Sequence, residues 1–405
     1  MSLRTSSIIA IVVSVLIALG IVQLARPVAR PTVAVGVPST THMAGSLPKL
    51  PWPSGAQADV EVPGIGQWRQ HGPSGARPIG SLAKMMTAYL VLKAHPLSAY
   101  GNGPTLTMTA QDATVYRADA ATQQSVMPVT VGEKLSERML LEGLLIPSGN
   151  NIATLLAQWV AGTVPRFTSA MNAEAKALGL TQTHYHGPVG LSPSTVSTAA
   201  NEMKLAIFMM KLPIFRTLVA MPQMTMPGNA TPKIVYNYNY LLGHNGVIGV
   251  KTGSTTYSGG CVVLAKNKTV DGRTLTVYAS VLGQQATRTT SQLWASLDAA
   301  NALLRATTKI VGTHRVITAG EVAGSLRAPW QSPIPLVTTK SASLIGWSGL
   351  TYSLHLTTRI PNATTIPAGT IVGSLSARVG SQTVTVPVKT AASLQPPSWL
   401  YRLKR

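Results

Sequence analysis

Segments with strand patterns stand on both sides of a long helical middle, and this order restricts the fold of the central part of the chain. Alternating residues at 58–62 and 67–70 flank a Pro-Gly turn, which is typical of a β-hairpin. Further strand patterns follow only at 246–250, 261–265 and 274–282. Because strands so far apart in sequence must meet in one sheet, the order predicts an α+β fold. Apolar runs of helical length predict helices at about 82–92, 132–145, 150–161, 167–178, 199–211 and 290–305.

The residues after about 307 have a different pattern. Helical runs disappear, and short alternating segments such as 352–356 lie between turns rich in Gly, Pro and Asn, which predicts a small all-β domain at 307–405. Its charge is one-sided, because residues 309–405 contain ten Lys or Arg and a single acid, Glu321. The aromatic and basic end at 399–405 is short, so we expect a solvated tail there rather than an anchoring helix.

The N-terminal segment carries no charge between residues 6 and 25, and arginines flank it at both ends. An apolar run of about 20 residues can span a bilayer. The best cleavage site, after Ala25, has Gln23 at the −3 position, where a small residue is preferred. We therefore favour an uncleaved signal-anchor at 1–30 over a cleaved signal peptide. Both interpretations export the rest of the chain, which stays anchored at the extracytoplasmic face of the membrane or, if cleaved, is secreted. The proline-rich segment 31–56 predicts an extended linker.

The composition restricts the classes of function. Lys and Arg number 33 against 12 Asp and Glu, which gives a net charge of +21. Export and the scattered distribution of the basic residues argue against nucleic acid as a partner. A basic surface that faces an anionic envelope and an adaptation to an acidic exterior both remain compatible with the charge. The single cysteine, Cys261, excludes a disulfide framework and a cysteine-based metal site, and its apolar neighbours predict a buried core residue.

The first candidate catalytic cluster is Ser81-Leu82-Ala83-Lys84. Residues three apart on a helix lie on one face, so the Lys84 amine can reach the Ser81 hydroxyl. A serine is a weak nucleophile until a base removes its proton. A lysine can be that base only if desolvation or nearby positive charge lowers its pKa. Alone, so short a motif also occurs by chance.

Two further clusters supply polar groups. Ser148-Gly149-Asn150 follows a predicted helix. A hydroxyl and an amide there can relay a proton and hold a substrate amide, although an ordinary turn with a helix cap has the same pattern. Lys251-Thr252-Gly253 ends a predicted strand, where a cation and a hydroxyl can bind a carboxylate. The glycine lets a ligand approach the strand backbone closely.

Together the clusters combine S-x-x-K, S-x-N and K-T-G, a set typical of penicillin-binding proteins and class A β-lactamases. The chain resembles the D-alanyl-D-alanine carboxypeptidases, the low-molecular-mass penicillin-binding proteins of bacterial walls. The resemblance implies a penicillin-binding/β-lactamase-like transpeptidase domain at 57–306, with an antiparallel sheet and a helical subdomain, and a second, all-β domain after it. It rests on the stretches 78–87, 144–151, 177–180 and 250–255.

The resemblance also implies a role for each catalytic residue. Ser81 would be acylated by the D-Ala-D-Ala end of a peptidoglycan stem peptide, and Lys84 would be its base. Ser148 and Asn150 would assist proton transfer and hold the peptide. The implied activity is that of a serine-type carboxypeptidase that trims the terminal D-alanine, is inhibited covalently by β-lactams, and needs no metal or cofactor.

Substrate binding is implied for the residues of the third cluster and the one that follows it. Lys251 and Thr252 would bind the terminal carboxylate, beside Gly253 and Ser254 on the same strand. The backbone N–H groups of Ser81 and Ser254 would form the oxyanion hole, whose donors must point to the place where the negative charge develops.

Several alternatives stay open at this stage. A class A β-lactamase would need a deacylating glutamate after the second cluster, where this chain has His184-Tyr185-His186. The two histidines lack neighbouring ligands, so we expect loop residues rather than a metal site. A wall-binding or β-lactam-sensing protein of the same fold, with little turnover, and a D,D-endopeptidase are the other candidates. The intact clusters favour an enzyme, because a pure binder has no need of Lys84.

Overall fold

The computed structural model describes residues 3–226 and 233–404. The helices are α1 Leu3–Ala25, α2 Lys84–Ala94, α3 Ala110–Ala121, α4 Glu137–Leu145, α5 Asn150–Ala161, α6 Val164–Ala177, α7 Ala199–Met209, α8 Pro213–Val219, α9 Gln292–Ile310 and α10 Trp399–Lys404. The strands are β1 Thr32–Val35, β2 Thr40–His42, β3 Gln57–Val62, β4 Gly66–His71, β5 Arg77–Pro78, β6 Thr105–Thr107, β7 Lys134–Ser136, β8 Val196–Ser197, β9 Gln223–Met226, β10 Lys233–Tyr236, β11 Val247–Thr255, β12 Gly259–Val270, β13 Arg273–Gln284, β14 Gly312–Ile317, β15 Val322–Ala328, β16 Gln331–Thr338, β17 Ala342–Gly346, β18 Thr351–Thr358, β19 Ile371–Val379 and β20 Gln382–Thr390.

The chain divides into two compact units. Residues 49–311 form one unit, and residues 1–48 together with 312–405 form the other. The first unit contains all three clusters of candidate catalytic residues.

A five-stranded sheet in the order β11-β12-β13-β3-β4 forms the frame of the first unit. The predicted meeting of distant strands occurs between β3 and β13, where Val60 lies opposite Ala279 in an antiparallel pair. On β12, Cys261 points into the helical core and is fully buried. Its neighbour Gly260 points to the opposite face, where a Cβ atom would lie 1.9 Å from the backbone oxygen of Gln292 in α9. Helices therefore cover both faces of the sheet, and the α+β prediction is confirmed.

Helix α2 lies in the middle of the helical core because its side chains are apolar and buried around most of its circumference. Its buried members include Met85, Met86 and Val91, and it packs against α4, α5, α6 and α7. A 3₁₀ turn at Gly80–Ala83 leads directly into it. This arrangement carries the polar side chain of Lys84 into an apolar interior.

The predicted helices are present with shifted ends, and the largest difference concerns 132–145. Lys134–Ser136 is a strand paired with Thr105–Thr107, and the Ser136 hydroxyl accepts a hydrogen bond from the backbone of Met139 to start α4. Helices α3 and α8 were not predicted from the sequence. The first has only one large aliphatic residue, Val115, and the second is only seven residues long, so neither shows a clear helical period.

The second unit contains a seven-stranded sheet in the order β1-β15-β16-β20-β19-β18-β2. Its two edge strands come from the segment that the sequence analysis treated as a linker, because Thr32–Val35 pairs with β15 and Thr40–His42 pairs with β18. Prolines exclude a segment from a central strand position but are tolerated beside short edge strands. The proline-rich segment 31–56 is thus partly built into the β domain.

Helix α1 is almost wholly apolar from Ile8 to Val22, and its side chains from Ser7 to Val22 are exposed. The stretch Ser7–Ala25 is long and apolar enough to cross a membrane, by length and composition only. At the other end of the chain, 399–404 is helical, where the sequence analysis expected a solvated tail.

Candidate active site

The three clusters lie at the ends of regular elements, where side chains can converge. Ser81 lies in the 3₁₀ turn before α2, and Lys84 is the first residue of α2. Ser148 lies in the turn between α4 and α5, and Asn150 begins α5. The third cluster, 251–253, lies on β11, the edge strand of the sheet. The starts of α2 and α5 and the edge strand β11 therefore carry the three clusters of candidate catalytic residues.

The Lys84 amine is the centre of the contacts between these elements. Its Nζ lies 2.9 Å from Oγ of Ser81, 2.7 Å from Oδ1 of Asn150 and 3.2 Å from the backbone oxygen of Val189. The side chain is fully buried. Burial holds the pKa of Lys84 well below its ordinary value, the positive charge of Lys251 lowers it further, and Asp119 opposes both effects. The lowered pKa favours the neutral form of the amine.

Ser148 adopts an unusual backbone conformation, with φ of 59°. A non-glycine residue in this left-handed region costs free energy, and such residues concentrate at functional sites. Its hydroxyl is buried and has no hydrogen-bond partner among the residues that the structure describes. The turn therefore holds an unpaired hydroxyl at the pocket wall.

The edge strand β11 supplies the wall on the other side. Thr252, Gly253 and Ser254 line one pocket together with Ser81 and Ser148. The Lys251 side chain is buried beneath this wall, and its Nζ donates to the backbone oxygen of Thr252 at 2.9 Å.

Burial lowers the pKa of Lys251 to about 7. Its side chain therefore titrates near neutral pH, whereas an exposed lysine stays charged there.

Gly253 permits the strand to approach the nucleophile closely. A Cβ atom on this residue would lie 2.8 Å from the backbone nitrogen of Ser81 and 2.9 Å from the backbone oxygen of Ile79. Both are backbone atoms that cannot rotate away. Glycine at this position therefore sets the distance between β11 and the turn that carries Ser81.

The structure adds residues to the site that were not predicted from the sequence. Gln124 accepts a hydrogen bond at 2.6 Å from Nδ2 of Asn150. Ser125 and Tyr238 line the pocket, with their hydroxyl oxygens 3.3 Å apart. Leu293 from α9 completes this side. None of these residues belongs to a motif, and the Val189 contact is a backbone group, so the sequence carried no signal for them.

The chain matches a known family across this region. The family described as D-alanyl-D-alanine carboxypeptidase matches residues 70–285, which is 216 of 405 residues. A D-alanyl-D-alanine carboxypeptidase from a Streptomyces strain is 34% identical over 216 residues, which cover 49% of this chain and 72% of that protein.

Two further relatives extend the comparison. A D-alanyl-D-alanine endopeptidase from Escherichia coli is 32% identical over 203 residues, but the match spans only 47% of this chain and 60% of that protein. Among solved structures, penicillin-binding protein 5 from Haemophilus influenzae aligns with a TM-score of 0.58 at 18% identity, covering 86% of this chain and 99% of that chain. That likeness shows the fold of both units.

Proposed function

This chain belongs to the D-alanyl-D-alanine carboxypeptidase family, and we propose that it removes the terminal D-alanine from peptidoglycan stem peptides through an acyl-enzyme on Ser81. The observation that carries the proposal is the buried Lys84 amine, 2.9 Å from Oγ of Ser81. A base at this distance from a serine hydroxyl is the arrangement that nucleophilic catalysis needs.

The contacts of Lys84 suit the neutral amine. A neutral amine has two N–H groups and one lone pair. When the amine is neutral, its two N–H groups donate to the carbonyl oxygens of Asn150 and Val189. The lone pair is then left for the Ser81 hydroxyl, whose oxygen lies 2.9 Å away. Lys84 is thereby oriented to remove the proton from Ser81 as the reaction begins.

In the acylation step, Oγ of Ser81 attacks the carbonyl carbon of the penultimate D-alanine, and its proton passes to Lys84. The peptide C–N bond breaks, and the leaving D-alanine nitrogen takes up a proton. The unpaired hydroxyl of Ser148 lines the same pocket and is suited to carry that proton from Lys84. The backbone N–H groups of Ser81 and Ser254 are the donors that we assign to the developing oxyanion. Water then hydrolyses the ester and releases the shortened stem.

Recognition of the terminal carboxylate falls to Lys251 and Thr252. A bound carboxylate favours the charged form of Lys251 and raises its pKa, which burial has lowered to about 7 in the free enzyme. Binding and protonation of Lys251 are therefore coupled.

Covalent labelling by a fluorescent penicillin, measured together with D-alanine release from a stem pentapeptide, tests the proposal. We expect both in the wild type and neither in Ser81→Ala. A β-lactam would acylate Ser81 in place of the peptide, as an inhibitor. Labelling without release would instead identify a β-lactam-sensing or wall-binding protein of the same fold.

Cleavage of cross-links is a second candidate activity, since one relative is a D-alanyl-D-alanine endopeptidase. Product analysis on purified muropeptides separates the two activities. Carboxypeptidase activity shortens monomeric pentapeptides, whereas endopeptidase activity converts cross-linked dimers to monomers.

We place the enzyme at the extracytoplasmic face of the bacterial membrane, held there by α1. Nη1 of Arg402 in α10 donates to the backbone oxygen of Leu24, near the C-terminal end of the apolar span. The exposed side chain of Trp399 lies on the same short helix. Trp and basic side chains favour the membrane–water interface. A membrane-bound protein with an intact mass of 42.5 kDa would support an uncleaved anchor, and a soluble product that lacks α1 would contradict it.

A further inference from the structure

Two aromatic side chains form an exposed pair beside the catalytic pocket. The ring centroids of Tyr240 and Trp294 are 5.1 Å apart, with an angle of 32° between the ring planes. The residues are 41% and 55% exposed. Large aromatic side chains that cluster on a surface, rather than in a core, commonly mark a binding site.

Both members of the pair are close in sequence to the pocket wall. Trp294 follows the pocket residue Leu293, and Gln292 just before it donates to Oγ of Ser254 at 2.7 Å. Tyr240 comes two residues after the pocket residue Tyr238. Both rings are therefore carried by the backbone segments that supply pocket residues.

The chemistry of the pair suits a sugar ring. Aromatic faces carry partial negative charge, and the C–H groups on one face of a pyranose carry partial positive charge, so the two stack favourably. The Tyr240 hydroxyl donates to the Asp298 carboxylate, which places a strong acceptor for sugar hydroxyls beside the rings. The hydrogen bond also holds the tyrosine ring in place.

We propose that Tyr240 and Trp294 bind an N-acetylated sugar of the glycan strand to which the stem peptide is attached. This inference rests on the proposed function. An extended pentapeptide spans at most about 17 Å. Trp294 and Tyr240 are one and two residues from the pocket residues Leu293 and Tyr238. A stem peptide with D-Ala-D-Ala at Ser81 is therefore long enough for its sugar end to lie over the pair.

Two substrates test the proposal: a free stem pentapeptide and the same pentapeptide carrying its disaccharide. We expect kcat/KM for the disaccharide substrate to exceed that for the free peptide by about threefold to tenfold, the range of one aromatic contact. Trp294→Ala should lose this preference and keep the wild-type rate on the free peptide. Trp294→Phe should restore most of it. Tyr100→Ala, which removes an aromatic side chain that is 89% exposed elsewhere, is the matched control.

An equal rate on the two substrates in the wild type, or a preference that survives Trp294→Ala, would overturn the proposal and leave the carboxypeptidase assignment standing. A third substrate, a cross-linked peptide without sugar, covers the other occupant. If Trp294→Ala lowers kcat/KM only for this substrate, the pair binds a second stem peptide, which also overturns the proposal. Binding of N-acetylglucosamine tetramer, measured by NMR titration, needs no turnover. Wild-type binding that Trp294→Ala abolishes supports the glycan site even if hydrolysis fails, whereas no binding by the wild type contradicts it.

Discussion

Oδ1 of Asn150 lies 2.7 Å from Nζ of Lys84, although the two residues are 66 positions apart in the sequence. The nitrogen of the same amide donates to Gln124, which fixes which end of the amide faces the amine. Asn150 therefore contacts the proposed base directly, besides the substrate-holding role proposed for it. Its amide oxygen accepts a hydrogen bond from Lys84, which leaves the lone pair of a neutral amine free to face Ser81.

Replacement of Lys84 by methionine removes the base and keeps most of the side-chain volume. We expect Lys84→Met to slow acylation by a fluorescent penicillin by at least about a hundredfold, the usual contribution of a general base. Lys93→Met is the matched control, because Lys93 lies on the same helix but is exposed and paired with Glu174. Acylation of Lys84→Met within a few-fold of wild type, with native circular dichroism, would remove Lys84 from the role of base.

Asn150→Asp places a carboxylate against the Lys84 amine. An adjacent negative charge favours the ammonium form, so the pKa of Lys84 should rise. Each unit of increase reduces the neutral fraction about tenfold at a pH below the pKa. We expect acylation at pH 7 to fall at least about tenfold, with the acid limb of the pH profile moved to higher pH. Asn150→Ala removes the acceptor without adding charge, so the acid limb of its pH profile should stay nearer the wild-type position. Equal shifts in both variants would contradict the electrostatic explanation.

The pKa of Lys251, lowered by burial to about 7, predicts an alkaline limit on substrate binding. As the pH rises through about 7, the free enzyme loses the positive charge that we propose binds the terminal carboxylate, so kcat/KM for a pentapeptide should decline. Arginine remains charged throughout this range. We expect Lys251→Arg to lower kcat/KM at pH 7 through imperfect geometry but to move the alkaline limb to higher pH. If the alkaline limb of the pH profile is unchanged in Lys251→Arg, a group other than Lys251 causes it.

Side chains that belong to motifs could be recognised from the sequence, whereas groups outside the motifs could not. Ser81, Lys84, Ser148 and the third cluster could be recognised because their spacing is a signature. In the structure Ser81, Ser148, Thr252 and Gly253 line one pocket, and the buried amines of Lys84 and Lys251 contact Ser81 and Thr252. The backbone oxygen of Val189 could not be recognised, since any residue type supplies a carbonyl.

The N-terminal segment shows a second limit. Residues 32–35 have no alternating pattern strong enough to predict a strand, and they form one only because β15 presents an unpaired edge. Pairing between the two ends of a unit depends on the tertiary fold, which local patterns do not encode.

Gly253 offers a test of the close approach between β11 and the turn of Ser81. In Gly253→Ala the new Cβ would lie 2.8 Å from the backbone nitrogen of Ser81, so strand or turn must move. We expect a loss of about 1–3 kcal/mol in the free energy of unfolding, as for other overpacking changes, and a larger loss of acylation. Gly312→Ala, whose Cβ would meet nothing within 4 Å, is the control for adding a methyl group. Wild-type acylation in Gly253→Ala would show that the approach is not needed.

Three buried acids contribute to stability in a way that favours mildly acidic solution. Burial raises the pKa values of Asp59, Glu137 and Glu202 to about 7. Between their ordinary values and pH 7, the folded chain holds protons that the unfolded chain releases. The stabilisation is therefore complete at low pH and is lost as the pH rises through about 7. This behaviour fits the acidic-exterior interpretation of the scarcity of carboxylates.

Glu202 gives the sharpest test, because it is fully buried and lies near the buried Tyr185 hydroxyl, whose pKa it helps to raise. The difference between 4.5 and about 7 corresponds to on the order of 3 kcal/mol at most. Glu202→Gln stays neutral at every pH, so its free energy of unfolding should fall less between pH 5 and pH 8 than that of the wild type, as measured by urea titration. Glu133→Gln, which makes the same change at a half-buried residue outside the core, is the matched control. If Glu202→Gln and wild type lose the same stability over this range, Glu202 does not hold its proton in the folded state, and the pH dependence must come from the other acids.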